Sequence, residues 1–463
     1  MKKLVTVALV LFLIGCTVGP KYQRPALTAP SSYRGATEDQ FSTRSVESLG
    51  DEKWSQVFQD PVLQQLIRTA LQQNYDIQIA AARVLEAQAQ LGITRANQFP
   101  MAAAGVEGYS ERNPKIANSF PAYEANDAEL DLSVIWNLDF WGKYRRETAA
   151  ARASLLASEW GRRAVITSVV SNVAAAYFQV RELDLALQIS KSTLTSRQDS
   201  LRLTNVLNRY GSASTLDVRQ SEQLVYTASE TIPDIERQIT QQEDALSILL
   251  GENPDAIPRG RALTDEPTLP TVPTGLPSEL LERRPDIREA EENLVAANAQ
   301  IGVAKAAYFP SISLTGTAGF ESYDLAKLFT GSAGLWNTAA SLTQPVFEAG
   351  GLRSGVRLAQ AQQQQLLLAY KQAVIVAFQQ VSDALVAYQK DREFREQQQL
   401  LTAAAQDTNR LSNMLYQNGG ASYLQVLTAE TNYFSAELNL AQAELNERLS
   451  LVQLYNALGG GWQ

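Results

Sequence analysis

Two aspartates, Asp127 and Asp131, are the best candidates for acid–base chemistry in this sequence. A β-strand would place both on one face, and a pair of carboxylates is the group that cleaves glycosidic bonds. Glu129 and Ser133 fall on that same face, however, as polar residues do along a water-filled wall. No nucleotide-binding loop or metal-binding cluster accompanies the pair. We therefore predict that the protein is not an enzyme and has no cofactor.

The composition excludes several other kinds of site. The chain has no histidine, which removes the commonest general base and the commonest metal ligand. Its single cysteine, Cys16, cannot form an intrachain disulfide or a cysteine-held metal centre. The formal net charge is −9 and no basic run is present, so nucleic acid is not an expected partner.

The N-terminus has the features of an export signal. Lys2 and Lys3 precede an apolar stretch over residues 4–14, which is shorter than the roughly 20 residues of a membrane-spanning helix. The sequence Leu13-Ile14-Gly15-Cys16 resembles a bacterial lipobox, in which the cysteine is lipidated. We predict a signal peptide over residues 1–15 and a covalent lipid on Cys16. The alternative is an ordinary signal peptide with a chance cysteine.

A threonine follows the cysteine, and in bacterial lipoproteins this resembles sorting to the outer membrane. The next residues, 17–50, are rich in proline, serine, threonine and glycine. Such a composition is typical of an extended linker. We therefore interpret residues 16–61 as a lipidated tether followed by a segment of an equatorial belt.

The rest of the chain is a tandem repeat. Self-comparison aligns two copies, first with an offset of 210 and later of 208. The matched positions are Asp76-Ile77 with Asp286-Ile287, Phe99-Pro100 with Phe309-Pro310, Gly211 with Gly419, and Leu250-Gly251 with Leu458-Gly459. This predicts a first repeat over 62–251, a proline-rich equatorial linker over 252–277, a second repeat over 278–459 and a C-terminal equatorial tail over 460–463.

Heptad spacing predicts long paired helices in both repeats. Ile166, Val173 and Val180 are seven residues apart, and the matching positions of the second repeat are also hydrophobic. This pattern is typical of helices that pack as coiled coils. We predict a long helix over 143–209, flanked by shorter helices over 62–98 and 215–250.

Four segments are predicted to be β-strands. They are residues 101–112, 125–136, 311–321 and 335–345. Three of them alternate between apolar and polar residues, and the segment 101–112 is assigned by repeat symmetry. Alternation over about ten residues is typical of transmembrane barrel strands, although an amphipathic pair in a soluble sheet is the alternative. Four strands cannot close a barrel, because the smallest need about eight. If these strands span a membrane, the chain must oligomerise.

Several motifs resemble one known family. They are Cys16 to Tyr22 with Arg24-Pro25, Trp136 to Gly142, Arg283 to Ile287, Phe309-Pro310 and the ending Leu458 to Trp462. The chain looks like a TolC-like outer-membrane efflux factor of the lipoprotein (NodT-type) branch, which pairs with resistance–nodulation–division pumps. The resemblance implies a mainly α fold with a small β part: a homotrimer with a 12-stranded transmembrane barrel, a long periplasmic α-helical barrel and an equatorial mixed belt.

The same resemblance implies a function and partners. The protein would be a passive exit duct for drugs and other small molecules in the outer membrane. An inner-membrane pump would deliver these compounds through a periplasmic adaptor protein. Two alternatives stay open: the duct of a protein secretion system, and a periplasmic coiled-coil lipoprotein without a channel.

Two sets of residues are the candidate sites. The turns that end the long helices would dock the adaptor, and a helix face just above the second turn would form the periplasmic gate. The predicted turn residues are Gly211, Ser212, Ala213, Ser214, Leu216, Asp217, Gly419, Gly420, Ala421, Ser422 and Leu424. The predicted gate residues are Asp407, Arg410, Asn413, Tyr416 and Gln417. Ser214 and Ser422 are expected to cap the helices that follow them, and a solvated outer helix face is the alternative for the gate set.

Overall fold

The computed structural model of this chain describes residues 17–27, 30, 32–34, 48–113, 123–265, 272, 275 and 277–462. The predicted signal peptide, the lipidation site Cys16 and part of the proline-rich linker lie outside the described residues. Within the described chain, the Cα positions divide into two compact units. Unit 1 comprises the described residues within 1–26, 83–159 and 289–371, and unit 2 comprises those within 27–82, 160–288 and 372–463.

The elements follow each other in the same order in both repeats. In the first repeat they are α1 (Pro61–Gln73), α2 (Tyr75–Ala96), β1 (Met101–Asn113), β2 (Tyr123–Leu138), α3 (Lys143–Arg209) and α4 (Thr215–Leu250). In the second they are α5 (Pro277–Arg283), α6 (Pro285–Ala306), β3 (Ser311–Ser322), β4 (Gly334–Thr343), α7 (Gly351–Gln417) and α8 (Tyr423–Ala457). The four strands and the long helix therefore lie where the sequence pattern put them, to within a few residues.

The helix expected over 62–98 is interrupted at Asn74, so α1 and α2 are separate. Asn74 leaves the helical conformation, with ψ of 128°. Its side-chain oxygen accepts a hydrogen bond from the Ile77 backbone N–H and its side-chain nitrogen donates to the Leu249 carbonyl. The Asn74 side chain thus caps the start of α2 and binds the end of α4. These two hydrogen bonds replace the backbone hydrogen bonds that a continuous helix would make at this position.

None of the described helices has both the length and the apolar character that crossing a membrane as a helix requires.

The strands form one antiparallel sheet in unit 1, in the order β1-β2-β3-β4. The register pairs Leu132 of β2 with Ala104 and with Ala318, and the next residue, Ser133, with Ala103 and Thr317. Because alternate residues point to opposite faces, this register gathers the apolar residues on one face and the polar ones on the other.

The apolar face of this sheet is exposed. Val106, Trp336 and Leu342 are 82%, 79% and 65% exposed, and Leu132 is 53% exposed. The polar residues of β2, such as Glu129 and Asp131, are only partly exposed. A sheet of a water-soluble domain would bury its apolar face, so the exposure of this face is not the pattern expected in water.

The segment after Cys16 is extended, as predicted, but residues 18–24 are bound along unit 1. The Val18 N–H donates to the Trp141 carbonyl at 3.0 Å, and Arg146 donates to the carbonyls of Val18 and Gly19. Further along, Arg24 forms an ion pair of 3.0 Å with the buried carboxylate of Glu291. We call residues 18–24 the strap, because they join α3 of the first repeat to α6 of the second.

A buried carboxylate organises the start of the first repeat in unit 2. Asp60 caps α1 by accepting from the Val62 N–H at 2.7 Å, and it also accepts from the Tyr177 hydroxyl at 2.6 Å and the Arg261 N–H at 3.0 Å. The Tyr177 hydroxyl in turn accepts from the Gly260 N–H. A fully buried carboxylate is tolerated because its oxygens are occupied by three donors.

Replacing Gly19 with alanine should release the strap. The added Cβ would lie 2.4 Å from the Cα of Gly302, and φ at residue 19 is +109°, which L-amino acids rarely adopt. We expect trypsin to cut at the exposed Lys21 of folded protein about tenfold faster or more, because cleavage requires local opening.

Gly92→Ala is the matched control, because a Cβ there would meet nothing within 4 Å. Its cleavage rate at Lys21 should equal that of wild type. Equal rates in all three proteins would mean that the strap does not depend on the Gly19–Gly302 contact.

Candidate functional site

The polar face of the sheet carries a row of three carboxylates. The register places Glu107, Glu129 and Glu321 side by side on β1, β2 and β3. Asp127 and Asp131, considered above as a catalytic pair, lie on the same face at the adjacent positions of β2. Among the described strand residues, this face has no lysine or arginine. The pair is therefore part of a larger acidic surface.

The first turn, after α3, is held by backbone and side-chain hydrogen bonds. Gly211 has φ of +76° and lets the chain reverse, while the Ser212 N–H donates to the Leu207 carbonyl at 2.8 Å. The predicted cap is observed: Ser214 Oγ accepts from the Asp217 N–H at 3.1 Å, and the Ser214 N–H donates to the Asp217 carboxylate at 2.8 Å. This reciprocal capping box fixes the entry to α4.

The second turn, after α7, has the same backbone shape. Gly419 has φ of +73°, and the Gly420 N–H donates to the Leu415 carbonyl at 2.8 Å. Ser422 occupies the cap position of α8, but its side chain makes no capping hydrogen bond. The expectation of a serine cap is therefore wrong at Ser422: the Gln425 N–H donates to the Ser422 backbone carbonyl at 3.1 Å, not to its hydroxyl.

Both turns present solvent-exposed surface. Ala213, Asp217 and Ala421 are half-buried. The exposed residues are Gly211, Ser212, Ser214, Leu216, Gly419, Gly420, Ser422 and Leu424. Leu216 and Leu424 occupy matching positions of the two repeats and are 64% and 60% exposed. An exposed leucine at the same place in both turns is a repeated apolar contact point.

The predicted gate residues do not form one uniform face. Asp407, Arg410 and Gln417 are exposed, and Arg410 pairs with Asp407 at 3.3 Å. Asn413 is half-buried and donates to Asn409 of its own helix, while Tyr416 packs on the ring of Tyr423, with centroids 5.3 Å apart. The Asp407–Arg410 pair reduces the charge that this helix presents.

The sequence reasoning missed a buried polar cluster above the turns, in unit 2. The heptad spacing of α3 continues beyond Leu187 through Ser190, Leu194, Arg197, Leu201 and Thr204. Three of these positions are polar yet buried: Ser190, Arg197 and Thr204 are 0%, 2% and 1% exposed. A charged residue in a heptad core position is the signal that could have revealed the cluster.

Arg197 joins helices of both repeats. Its guanidinium donates to the Leu224 carbonyl of α4 at 2.8 Å and lies 4.9 Å from the ring centre of Phe434 in α8. Glu430, also in α8, accepts from the Ser200 hydroxyl of α3 at 3.1 Å. Glu430 Oε2 and Arg197 Nε have no hydrogen-bond partner among the described residues.

Burial governs the charge state of this cluster. It raises the pKa of the Glu430 carboxyl, while the Ser200 hydroxyl and the nearby Arg197 act in the opposite direction. Burial also lowers the pKa of Arg197, although Glu430 opposes that shift. Each charge therefore makes the other tolerable in an environment that would otherwise disfavour both.

Nearer the turns, the two repeats are tied together by hydroxyl groups. The Tyr423 hydroxyl of α8 forms a short hydrogen bond with Ser221 of α4, and Ser221 donates to Thr204 of α3 at 3.3 Å.

Among the described residues, no group of three acidic, histidine or cysteine side chains could hold a metal ion.

Comparison with known proteins identifies the family. The model for the outer membrane efflux protein family matches residues 66–252 and 276–460. The chain belongs to this family. It is 37% identical over 469 residues to a toluene efflux pump outer membrane protein, TtgC of Pseudomonas putida, covering 100% of this chain and 96% of TtgC. It is 34% identical to the probable outer membrane lipoprotein SilC of Salmonella typhimurium, covering 99% of both chains.

Solved structures of the family have the same fold. The open state of the MtrE outer membrane channel of Neisseria gonorrhoeae aligns with a TM-score of 0.88 and 31% identity, covering 97% of this chain and 99% of that one. This similarity confirms the predicted fold class, a mainly helical chain with a small antiparallel sheet in two tandem repeats.

Replacing Arg197 with leucine should destabilise unit 2 in a pH-dependent way. Glu430 would then be buried without a cation, at a cost of about 3 kcal/mol. The pKa of Glu430 is already raised, so the folded state binds its proton more readily than the unfolded state. The lost stability should therefore return as the pH falls and Glu430 becomes protonated.

The R197L/E430Q double variant provides the control, since it removes both charges. In chemical unfolding followed by circular dichroism, it should recover most of the stability lost in R197L and should lose the extra pH dependence. If R197L is as stable as wild type at pH 8, the two charges are not coupled.

Proposed function

We propose that this chain is the outer-membrane channel of a tripartite efflux system, through which drugs and other small molecules leave the cell. One observation carries the proposal: the sheet exposes its apolar face, with Trp336 79% and Val106 82% exposed, and turns an acidic face the other way. That arrangement suits a wall with lipid on one side and water on the other.

The proposed channel is a homotrimer. One chain contributes four strands, and β1 and β4 are at the ends of the strand order, so each has an unpaired edge. Unpaired backbone groups are not tolerated in hydrocarbon, and a closed barrel needs about eight strands or more. Three chains would form a 12-stranded barrel with a water-filled bore, whereas two would form one filled by side chains.

The turns that follow the long helices α3 and α7 are the proposed docking points for a periplasmic adaptor. This adaptor would connect the channel to an inner-membrane resistance–nodulation–division pump. Exposed Leu216 and Leu424 support this role, because they offer matched apolar contacts at equivalent places in the two repeats. The rigid backbone of each turn, fixed by Gly211 and Gly419, would present these contacts in a defined shape.

The proposed gate is the exposed part of α7 above the second turn, around Asp407, Arg410 and Gln417, with Asn413 and Tyr416 behind it. In a trimer, three copies of this helix face would approach each other. The ion pair between Asp407 and Arg410 supports a closed state with little net repulsion, which an adaptor could open by tilting the helices.

We propose that the channel is passive, without a catalytic role and without a cofactor other than a lipid on Cys16. The acidic wall that contains Asp127 and Asp131 is continuous across three strands, which suits a lumen better than a catalytic pair. A protein whose pump supplies the energy needs no chemistry of its own.

Purified mature protein should conduct ions across a planar bilayer. We expect discrete conductance steps and a trimer by light scattering in detergent, with migration on gels that changes on heating. A strictly monomeric protein that gives no conductance would contradict the proposal and favour a scaffold without a channel.

Loss of the gene in its host should raise sensitivity to antibiotics, dyes or solvents and leave protein secretion intact. The susceptibility should return to its original level when the wild-type gene is restored. Unchanged susceptibility together with loss of a secreted polypeptide would instead indicate the duct of a secretion system.

A thiol at the first turn should crosslink to the adaptor. Since the chain has one native cysteine, Cys16, which the proposed lipid occupies, Ser214→Cys would introduce the one free thiol. We expect a crosslinked species in cells that carry the adaptor. Thr227→Cys is the control: it is exposed on the same helix, about 20 Å further along, and should not crosslink.

A further inference from the structure

A groove between α2 and α3 in unit 1 is lined by three arginines and by no acidic residue. Arg95, Arg145 and Arg152 surround a volume of about 530 Å³, together with Gln98 and Thr148. Arg145 forms an ion pair of 3.1 Å with Asp139. Arg95 and Arg152 are exposed and form no ion pair with any described residue. The groove thus presents uncompensated positive charge.

The groove lies on the side of the sheet's apolar face. Trp136 belongs to that face, since it follows Leu132 and Val134 at a spacing of two residues along β2. Its indole nitrogen donates to the backbone carbonyl of Gln98 at 3.2 Å, and Gln98 lines the groove. A molecule on the lipid side of the sheet would therefore meet the arginines directly below the strands.

The residue just ahead of the strap gives the depth of the groove independently. Thr17, the residue after Cys16, packs on Gly142, where an added Cβ would lie 3.0 Å from the Thr17 Cα. A lipid on Cys16 would enter the bilayer at this level. Arg145 and Arg152 lie three and ten residues further along α3, about 5 and 15 Å lower, and a headgroup layer is roughly 5–7 Å thick. Arg145 therefore lies within that layer, and Arg152 has to extend its long side chain upwards towards it.

We propose that this groove binds the phosphate of a phospholipid headgroup in the inner leaflet of the membrane that the sheet spans. This rests on the proposed membrane channel, because a headgroup is available only if the apolar face lies in a bilayer. Guanidinium groups form paired hydrogen bonds with phosphate oxygens, and a long arginine side chain can reach the headgroup level from below. Free phosphate shares this chemistry, but the position beside the apolar face favours the lipid.

The test uses mature, detergent-purified protein and native mass spectrometry. Short-chain phosphatidylglycerol, phosphatidylcholine and inorganic phosphate are titrated in separate arms. We expect phosphatidylglycerol to bind most tightly and inorganic phosphate at least about tenfold more weakly. The R95Q/R152Q variant should lose about tenfold or more in phosphatidylglycerol affinity, because it removes the two arginines that have no ion-pair partner and attract the anionic headgroup.

The chain offers a matched control, R83Q/R162Q, which removes the same charge from the same two helices outside the groove. Its affinity should stay within about twofold of wild type. R95K/R152K should lose less affinity than R95Q/R152Q but should not match wild type, because lysine keeps the positive charge and cannot form the paired hydrogen bonds of a guanidinium. Equal losses in the glutamine variants would overturn the proposal, since attraction would then be nonspecific. Phosphate binding as tight as lipid binding would overturn the headgroup assignment.

Bilayer conductance of the same preparations separates the two proposals. R95Q/R152Q should conduct like wild type, because the groove is on the lipid side of the sheet. If wild type does not conduct, the proposed channel fails, and the lipid titration still decides whether the groove selects phosphatidylglycerol.

Discussion

The unpaired edges of the four-stranded sheet are the constraint on which the rest of the structure depends. Exposure of the apolar face, with Trp336 and Leu342 uncovered, means that the sheet is not stable in water alone. Hydrocarbon would cover that face, but it would penalise the free backbone groups of β1 and β4. Both demands are met only when copies of the chain join edge to edge. Each copy also contributes the helices that precede and follow its strands. Closing the barrel would therefore also bring these helices together into a closed ring.

Much of this sheet could be predicted from the sequence, because period-two alternation in β2 and β3 is set by which side chains tolerate lipid. The weakest strand, β1, has small residues at Ala102, Ala103 and Ala104, so both of its faces look alike in the sequence and only the repeat indicated it. The sequence did not predict which residues face each other across neighbouring strands. The row of Glu107, Glu129 and Glu321 depends on the register, which pairs Glu129 with Glu321 although they are 192 positions apart.

At the turns, local chemistry could be predicted and long-range contacts could not. A glycine with positive φ is required where the helix reverses, which is why Gly211 and Gly419 stood out. The heptad pattern also places Arg197 in a buried seam, but nothing in it names Glu430 as the neighbour. The two repeats differ here: Ala405 takes the place of Arg197, and Glu222, the counterpart of Glu430, pairs with Arg219 at the surface. The duplicated helices thus acquired a buried charge cluster at Arg197 and Glu430 that has no counterpart at the equivalent positions.

The strap explains why a lipid on Cys16 would do more than tether. A single acyl chain gives weak, reversible membrane binding, and on a flexible linker it would leave the depth of the protein undefined. Val18 and Gly19 are instead bound to the first turns of α3, and Arg24 is bound to Glu291 of α6. Acyl chains attached just ahead of the strap would enter the bilayer at the level where the strands end. The lipid and the apolar face would then act on one rigid unit at one depth, so that their favourable free energies add.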